Sequence, residues 1–332
     1  MDSKRKARII GTGTYLPSKI LKNSDLEKVV ETSDEWIVTR TGMRERRIAS
    51  ETEYSSTMGL IASKDAIKNA GIKAEDIELI VVATATPDYI FPSTATVIQS
   101  GLEGCKAPAF DIQAACAGFL YGLSIVRSYI ESGMYKHVLL VASEKLSSIV
   151  NYKDRATCVL FGDGAAACVV SAEGKGLQIN DICLGADGGP AETLGVIAGG
   201  CRHPSSEETV KNDMHYLTMN GQEVFKNAVR CMESMTNNCL DKLAIKPDDI
   251  SWFVPHQANI RIIEALSKRL GIPDERIFKT IHKYGNTSAS SVPIALHELL
   301  QKHTIDTGEL LLFTAFGAGL TYASSVLEQI NH

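Results

Sequence analysis

Two similar six-residue stretches occur in this chain, Ile72-Lys73-Ala74-Glu75-Asp76-Ile77 and Ile245-Lys246-Pro247-Asp248-Asp249-Ile250. Each copy follows an amphipathic helical pattern and leads into an apolar run that is typical of a buried strand. The copies are 173 residues apart (245 − 72), which is close to half of the 332-residue chain. A repeated order of helix, turn and strand indicates an internal duplication.

The same spacing relates three reactive side chains. It aligns the strand-like run 79–83 with the run 252–256, so His256 falls at the exit of a strand. Cys116 comes thirty-three residues after the first run (116 − 83), and Asn286 comes thirty after the second (286 − 256). We therefore expect Cys116 and Asn286 in equivalent loops of the two copies, with His256 nearby.

The order of the elements predicts the fold class. Strands that alternate with helices predict an α/β architecture, and the duplication predicts two similar halves packed as five α-β-α-β-α layers. We place the first half at residues 1–175, which carry the cysteine, and the second at residues 176–332, which carry the histidine and the asparagine. The Gly-, Pro- and Ser-rich region 185–213 is expected to connect the halves and to cover part of the active site.

Local sequence signals predict where several helices begin and end. Two segments, Ser24-x-x-Glu27 and Thr32-x-x-Glu35, have the pattern of capping boxes and predict two short helices. Gly71 is expected to end a helix that begins near Ser56, because glycine accepts the left-handed conformation that follows a last helical turn.

Composition excludes several classes of protein. With 44% hydrophobic and 22% charged residues, the chain is typical of a globular protein. A net charge of −5 argues against nucleic acid as a partner, since phosphate binding needs a basic face. No apolar run approaches the roughly 20 residues that cross a bilayer, and no signal-peptide core is evident, so we expect a cytoplasmic protein without a membrane partner. The 8 cysteines show no C-x-x-C pattern, which disfavours a metal site and disulfides.

Cys116 lies in the segment Ala114-Ala115-Cys116-Ala117-Gly118-Phe119, where a strand end gives way to small residues and then to a helical pattern. Small neighbours allow a sharp turn and access for a substrate. A helix N-terminus is expected to lower the pKa of the thiol and to favour the thiolate. A lone cysteine in apolar surroundings is more often structural, and we assign the other seven to that class.

His256 and Asn286 give the cysteine its chemical context. His256 follows Pro255 at a strand end, where side chains of α/β folds face a crevice. Asn286 taken alone could equally cap the helix that follows it. A thiol attacks acyl groups, and an imidazole with a carboxamide can hold the oxyanion of an enolate, so the set suits carbon–carbon bond formation on thioesters. A papain-like Cys-His-Asn protease remains an alternative.

The sequence resembles the β-ketoacyl-acyl carrier protein synthase III family of the thiolase superfamily along nearly its whole length. The resemblance rests on six segments: Gly11-Thr12-Gly13-Thr14-Tyr15-Leu16-Pro17, Asp34-Glu35-Trp36-Ile37-Val38-Thr39-Arg40-Thr41-Gly42, Ala114-Ala115-Cys116-Ala117-Gly118-Phe119, Val254-Pro255-His256-Gln257-Ala258-Asn259, Lys283-Tyr284-Gly285-Asn286-Thr287-Ser288 and Phe316-Gly317-Ala318-Gly319-Leu320-Thr321. It implies a thiolase-like fold, a homodimer and no metal or redox cofactor. It also implies condensation of an acyl-CoA starter with malonyl-acyl carrier protein to 3-oxoacyl-acyl carrier protein, CoA and CO2, initiating fatty acid biosynthesis.

The resemblance also implies residue roles. Cys116 would carry the acyl group, and His256 Nε2 with Asn286 Nδ2 would promote decarboxylation of the malonyl group. The oxyanion hole would consist of the backbone N–H groups of Cys116 and Ala318. The family commonly has glycine where this chain has Ala318, and alanine would strain any positive φ there.

Further residues would bind the substrates. Trp36, Arg40 and Arg155 would hold CoA, since indole and guanidinium planes can sandwich an adenine and guanidinium groups bind phosphates. Three neighbouring arginines could equally form a solvated basic face: Arg44, Arg46 and Arg47. The resemblance assigns the starter-acyl pocket to Phe91, Leu146, Phe161 and Leu217, with Phe91 in a loop that reaches the partner subunit. It assigns carrier-protein binding to Lys226, Arg261, Lys268 and Arg269.

Other functions remain open on the sequence. A hydroxymethylglutaryl-CoA synthase needs a catalytic glutamate near the nucleophile, and the only acid in residues 84–91 is Asp88. A type III polyketide synthase, a cysteine hydrolase and a non-catalytic binding subunit are further alternatives, although the three reactive residues disfavour the last. The sequence does not decide between acetyl, straight-chain and branched starters.

Overall fold

The computed structural model describes residues 5–331. Thirteen strands are β1 Arg8–Tyr15, β2 Lys19–Lys22, β3 Glu45–Ile48, β4 Leu79–Ala83, β5 Ala109–Ile112, β6 His137–Glu144, β7 Gly164–Ser171, β8 Gly176–Ala186, β9 Leu194–Val196, β10 Leu217–Met219, β11 Ile250–Pro255, β12 Leu310–Gly317 and β13 Thr321–Ile330. Eleven α-helices are α1 Asn23–Leu26, α2 Asp34–Thr41, α3 Ser55–Asn69, α4 Thr94–Gly101, α5 Gly118–Glu131, α6 Arg155–Cys158, α7 Glu207–Lys211, α8 Gly221–Leu243, α9 Ile260–Leu270, α10 Ile281–Tyr284 and α11 Ser291–Lys302.

Nine strands form one mixed sheet in the order β11-β12-β13-β8-β1-β7-β6-β4-β5. The series β1-β7-β6-β4 on one side corresponds to the series β8-β13-β12-β11 on the other. β4 is parallel to β6, as β11 is to β12, and the remaining pairs of the two series are antiparallel. The two series meet at β1 and β8 through only two residue pairs, Arg8 with Gln178 and Ile9 with Leu177. The sheet is therefore built from two strand series of the same topology.

Helices complete five layers. The central layer is α5 and α11, whose apolar side chains share one core with strands of both series. α3 and α4 pack on the outer face of the first series, and α8 and α9 pack on that of the second. The predicted α-β-α-β-α order is confirmed, and it follows from burial of both faces of the apolar strands β4, β6 and β12. The domain boundary after residue 175 stays a prediction.

Two local predictions need correction. Ser33, and not Thr32, caps α2, because its side chain accepts the N–H of Trp36 at 3.1 Å. α1 begins at Asn23 after Lys22, so Ser24 lies inside that helix. Gly71 does follow α3, with φ +69, as predicted.

The Gly-rich region does not connect the two series. The two series are instead connected by residues 172–175, which lie between β7 and β8. β8 belongs to the second series, since it pairs with β13. Residues 187–216 lie within the second series, between β8 and α8. They include β9, whose residues Leu194, Gly195 and Val196 line the main cavity, so the prediction that this region covers the site is confirmed.

Candidate active site

One cavity of about 1030 Å³ brings the three reactive residues together. Cys116, His256 and Asn286 all line it. Cys116 follows β5 and His256 directly follows β11, so both lie beyond the carboxyl ends of strands, where α/β folds place ligands. Asn286 enters from the loop before α11. The predicted clustering of these three residues is confirmed.

Cys116 lies in a 3₁₀ turn, Ala115–Ala117, immediately before α5. Cys116 is 9% exposed. Burial raises the pKa of the Cys116 thiol to about 12, a hydrogen bond with Ser288 lowers it, and the charge of Glu144 raises it. Desolvation of the sulfur therefore opposes the expected stabilisation of the thiolate by the helix N-terminus, and that expectation stays a prediction.

His256 is held in one orientation by α11. Its Nδ1 lies 2.6 Å from Ser291 Oγ, which also accepts the backbone N–H of Gln257 at 3.4 Å. Within residues 5–331 the Ser291 hydroxyl has no other acceptor, so it donates to Nδ1 and leaves the hydrogen of the neutral ring on Nε2. Burial lowers the pKa of His256 to about 3. The histidine is thus a neutral donor.

Asn286 is fixed through its backbone and its side-chain oxygen. Its N–H donates to Leu160 O at 2.9 Å, and its carbonyl accepts the N–H of Gly162 at 3.0 Å. Oδ1 accepts the N–H of Ser288 at 2.8 Å, which fixes the amide so that Nδ2 is the group left for the cavity. The alternative that Asn286 is only a helix cap is not supported, because α11 begins five residues later at Ser291. The site therefore presents two neutral donors.

The backbone after β12 packs against the nucleophile. A Cβ at Gly317 would lie 2.6 Å from Cys116 N, so only glycine permits this approach. Thr321 Oγ1 donates to Ala114 O at 2.8 Å and joins the two loops. Ala318 lines the cavity and is not among the residues with positive φ, so the expected strain of alanine at this position is absent.

Two arginines flank one tryptophan at the cavity. Arg155 Cζ lies 5.0 Å and Arg40 Cζ 5.8 Å from the ring centre of Trp36. Trp36 and Arg40 line the cavity, and Arg155 Nη1 donates to Glu31 O at 2.9 Å. The three residues predicted to hold CoA are therefore adjacent. Both guanidinium groups are exposed and available to a phosphate.

Comparisons with known proteins agree with this geometry. The family model for 3-oxoacyl-[acyl-carrier-protein] synthase III matches residues 110–188, and its C-terminal model matches residues 240–329. Beta-ketoacyl-[acyl-carrier-protein] synthase III of Chlamydia pneumoniae is 54% identical over 331 residues, which cover 99% of each chain. The chain belongs to the 3-oxoacyl-[acyl-carrier-protein] synthase III family. It is a condensing acyltransferase of the initiating step of fatty acid biosynthesis.

Solved structures show the same family and fold. The crystal structure of 3-oxoacyl-[acyl-carrier-protein] synthase III from Aquifex aeolicus VF5 matches with a TM-score of 0.89 and 47% identity, covering 97% of this chain and 99% of that one. The priming β-ketosynthase of the R1128 polyketide pathway matches with a TM-score of 0.91 and 35% identity, covering 100% of this chain and 98% of that one. The predicted thiolase-like fold is confirmed. No helix within residues 5–331 is long and apolar enough to cross a membrane.

Three of the four predicted pocket residues line the cavity. Leu146, Phe161 and Leu217 do so, together with apolar residues from α8 and α9. Phe91 does not line it within this chain. Its side chain is 83% exposed, because the loop between β4 and α4 turns it outward, and its neighbour Ile90 lines the cavity in its place. The assignment of Phe91 to a pocket, through a loop that reaches the partner subunit, stays a prediction.

The four basic residues predicted to meet the carrier protein lie on α8 and α9 and are exposed: Lys226, Arg261, Lys268 and Arg269. Arg261 lines the cavity and lies 5.8 Å from the ring centre of Phe225. Arg269 forms an ion pair with Glu233 at 2.6 Å, which offsets its charge. Arg46 belongs to neither a CoA site nor a solvated face, because it is fully buried and donates to Val159 O at 2.6 Å.

Sequence reasoning missed three polar residues of the site. Ser288 and Ser291 belong to the serine-rich run that follows Asn286. This run contacts Cys116 and His256, the other two reactive residues. Glu144 ends the apolar strand β6 and is fully buried. A single acid at the end of an otherwise apolar strand was the available signal, since carboxylates are rarely buried without a specific reason.

Within the described residues 5–331, one cluster of side chains away from the cavity has the residue types that bind metals. Ligand atoms of Asp181, Cys183 and Cys239 lie within 4.8 Å of one another. Asp181 already pairs with Arg127 at 3.0 Å and with Lys242 at 2.6 Å, which leaves little negative charge for a cation. All eight cysteines are free thiols. The absence of a metal requirement stays a prediction.

Proposed function

We propose that the chain condenses an acyl-CoA starter with malonyl-acyl carrier protein through an acyl-Cys116 intermediate. One observation carries the proposal: a thiol and two fixed neutral donors line the same cavity. The Ser291 hydroxyl forms a hydrogen bond with His256 Nδ1, and the Ser288 N–H donates to Asn286 Oδ1. The remaining nitrogen of each side chain is therefore an N–H donor. A protease or a thioesterase would also need a general base that activates a water, and the low pKa of His256 makes it a poor one.

The first half of the reaction loads the enzyme. The sulfur of Cys116 attacks the thioester carbonyl carbon, CoA leaves as its thiol, and the acyl group remains on sulfur. The N–H groups of Cys116 and Ala318 are proposed to hold the oxyanion, which is supported by the packing of Gly317 against Cys116 N. Trp36, flanked by the guanidinium groups of Arg40 and Arg155, is proposed to hold the nucleotide end of CoA.

The second half forms the carbon–carbon bond. Malonyl-acyl carrier protein enters, and loss of CO2 leaves an enolate whose oxygen accepts hydrogen bonds from His256 Nε2 and Asn286 Nδ2. The enolate carbon attacks the acyl-Cys116 carbonyl, and the sulfur leaves. Departure of CO2 makes the condensation irreversible in practice. The product is 3-oxoacyl-acyl carrier protein, and the chemistry requires no metal or redox cofactor.

The partners follow from the same surfaces. Acyl carrier proteins are acidic, and four basic residues are exposed on α8 and α9, of which Arg261 lines the cavity: Lys226, Arg261, Lys268 and Arg269. Phe91, exposed beside the cavity-lining Ile90, is proposed to reach a second copy of the chain in a cytoplasmic homodimer. Apolar residues at such an exposed loop are typical of an interface.

The test is product formation from defined substrates. The purified protein is incubated with acetyl-CoA, a branched acyl-CoA or a longer straight-chain acyl-CoA, each with malonyl-acyl carrier protein. We expect 3-oxoacyl-acyl carrier protein and CO2 in equal amounts with at least one starter. Release of free acid without a condensed product would favour a hydrolase and would overturn the proposal.

A further inference from the structure

Arg46 is a fully buried arginine on the short strand β3. Burial lowers the pKa of Arg46 to about 10, so the guanidinium remains charged at neutral pH. No ion pair among residues 5–331 includes this side chain, and its Nε is buried there without a hydrogen-bond partner. A buried charge without a carboxylate lowers stability, and an apolar residue of similar volume would avoid that loss. The residue therefore calls for a role beyond packing.

The guanidinium group of Arg46 binds neutral oxygens of two separate segments. Nη2 donates to Val159 O at 2.6 Å, in the segment between α6 and β7. Nη1 donates to Asn23 Oδ1 at 2.8 Å, in α1, and to Leu21 O at 3.2 Å, in β2. Because an arginine presents its N–H groups as a rigid fork, it can hold two segments at a fixed separation.

The segment after α6 carries the backbone partners of Asn286. The N–H of Asn286 donates to Leu160 O at 2.9 Å, and its carbonyl accepts the N–H of Gly162 at 3.0 Å. The stem of Arg46 packs against the same backbone, since a Cβ at Gly162 would lie 3.0 Å and one at Gly285 3.3 Å from Arg46 Cβ. Head and stem of the arginine together fix the backbone from which the Asn286 side chain reaches the cavity.

The other segment fixes the helix that carries two of the residues proposed to bind CoA. Asn23 Nδ2 donates to Asp34 Oδ1 and to Met43 O, both at 2.8 Å. Asp34 is the first residue of α2, and Met43 lies two residues beyond its last, so one amide group holds both ends of this helix. Trp36 and Arg40 lie on α2. The bond from the guanidinium to Oδ1 directs the amide nitrogen of Asn23 toward these two partners.

We propose that Arg46 is a positioning residue that sets α2 and the Asn286 loop relative to each other, an inference that rests on the functions proposed above for both. Arg46 does not line the cavity, so it acts through other residues. One effect passes through Asn286, whose Nδ2 must lie within hydrogen-bond distance of the enolate oxygen. The other passes through α2, which holds the nucleotide end of CoA. A displacement of about 1 Å at such a site can lower a rate about 100-fold.

Four variants separate the two effects. Arg46→Met keeps an apolar stem and removes every donor. Arg46→Lys keeps the charge but presents one nitrogen where the guanidinium presents two, and it carries the same test if the methionine variant does not fold. Asn23→Asp keeps an acceptor for Arg46 but loses both N–H groups that hold α2. Arg47→Met is the matched control, because the neighbouring arginine donates to Pro17 O at 3.3 Å and does not line the cavity.

The first measurement is decarboxylation of malonyl-acyl carrier protein by enzyme that is already acylated on Cys116. We expect Arg46→Met and Arg46→Lys to slow it about 10- to 100-fold, because the Asn286 amide is displaced. Added to Asn286→Ala, either Arg46 variant should slow it no further, since the effect passes through the amide that is already missing. Asn23→Asp and Arg47→Met should keep the wild-type rate.

The second measurement compares the KM for acetyl-CoA with the KM for a short acetyl-pantetheine thioester. Asn23→Asp and both Arg46 variants should raise the first about tenfold, the size of one weakened charge-assisted contact. The second should hardly change, because the analogue lacks the nucleotide that α2 holds. A purely structural role would lower the urea midpoint and the amount of folded enzyme, but it would not distinguish the two thioesters.

Three outcomes overturn the role of Arg46. They are wild-type rates and KM values in its folded variants, multiplication of the losses when these variants are combined with Asn286→Ala, and equal losses in Arg47→Met. Failure of the underlying functions is distinguishable from these results. Asn286→Ala alone would then decarboxylate at the wild-type rate, or Arg40→Ala alone would keep the wild-type KM for acetyl-CoA.

Discussion

Ala115 and Ser288 adopt the same uncommon backbone, with φ of +44 and +50. They are 173 residues apart (288 − 115), the offset that also relates the first residues of β6 and β12, His137 and Leu310 (310 − 137). Each is the first residue of a 3₁₀ turn that leads into a helix of the central layer, Ala115 toward α5 and Ser288 toward α11. The duplicated turn therefore carries the thiol of Cys116 on one copy and the hydroxyl of Ser288 on the other.

Removal of either enolate donor should impair the malonyl half-reaction selectively. His256→Ala and Asn286→Ala each delete one N–H group, and loss of one such donor costs roughly 10²–10³ in rate. Acylation of Cys116 should persist in both variants. The rates of acyl-adduct formation and of CO2 release, measured separately, check this. Complete loss of acylation in a folded variant would contradict the assigned division of labour.

His256 should stay neutral across the physiological range, with its hydrogen on Nε2. Burial lowers its pKa to about 3 from an ordinary 6.5, and the Ser291 hydroxyl occupies Nδ1. ¹⁵N NMR of the labelled ring from pH 8 to pH 5 should show one unchanged neutral tautomer. Because only the unfolded chain takes this proton between pH 6.5 and 3, the free energy of unfolding should decrease as pH falls through that window. A ring that titrates near pH 6.5 in the folded protein would contradict this assignment.

The arginines beside Trp36 should matter only for full-length CoA. Arg40→Ala and Arg155→Ala should raise the KM for acyl-CoA about ten- to hundredfold, the effect of one charge-assisted contact. The KM for a short acyl-pantetheine thioester should hardly change, because that analogue lacks the nucleotide. Arg44→Ala, an exposed arginine that does not line the cavity, is the control. Equal losses with both thioesters would mean that the two arginines support the fold.

Gly317 should tolerate no side chain. In Gly317→Ala the new Cβ would lie 2.6 Å from Cys116 N and 3.0 Å from Ala117 N, so two backbone segments must separate. We expect slower acylation and a loss of about 1–3 kcal/mol in the free energy of unfolding, as for other overpacked sites. Acylation rates and urea midpoints check this. Gly188→Ala, where a Cβ meets nothing within 4 Å, should behave as wild type, and equal behaviour of the two variants would contradict this reading.

The sequence predicted those features of the fold and the site that depend on the order and spacing of its helices and strands. The repeat of residues 72–77 at residues 245–250 predicted the two strand series, and the offset brought Cys116 and Asn286 to corresponding loops. Apolar strands such as β4 can be read directly, because burial of both faces leaves a continuous apolar run.

What the sequence could not predict depends on burial and on side-chain direction. The thiol of Cys116 was expected to ionise readily, but its desolvation is a property of the assembled cavity. Phe91 was expected in a loop that reaches the partner subunit, and only the loop conformation shows how far this residue is exposed. Ser291 contacts His256, which is 35 residues away in the sequence, so no local pattern predicts that contact.

The central claim is that Cys116 carries the acyl group, and its most direct test is the mass of the intact protein after mixing with acyl-CoA. The wild type should gain one acyl group that peptide mapping places on Cys116. Cys116→Ser should gain none, since a serine hydroxyl is far less ionised than a thiol. Cys201→Ser, which replaces the exposed cysteine, should be acylated like the wild type. An adduct that persists in Cys116→Ser, or that maps to another cysteine, would contradict the account.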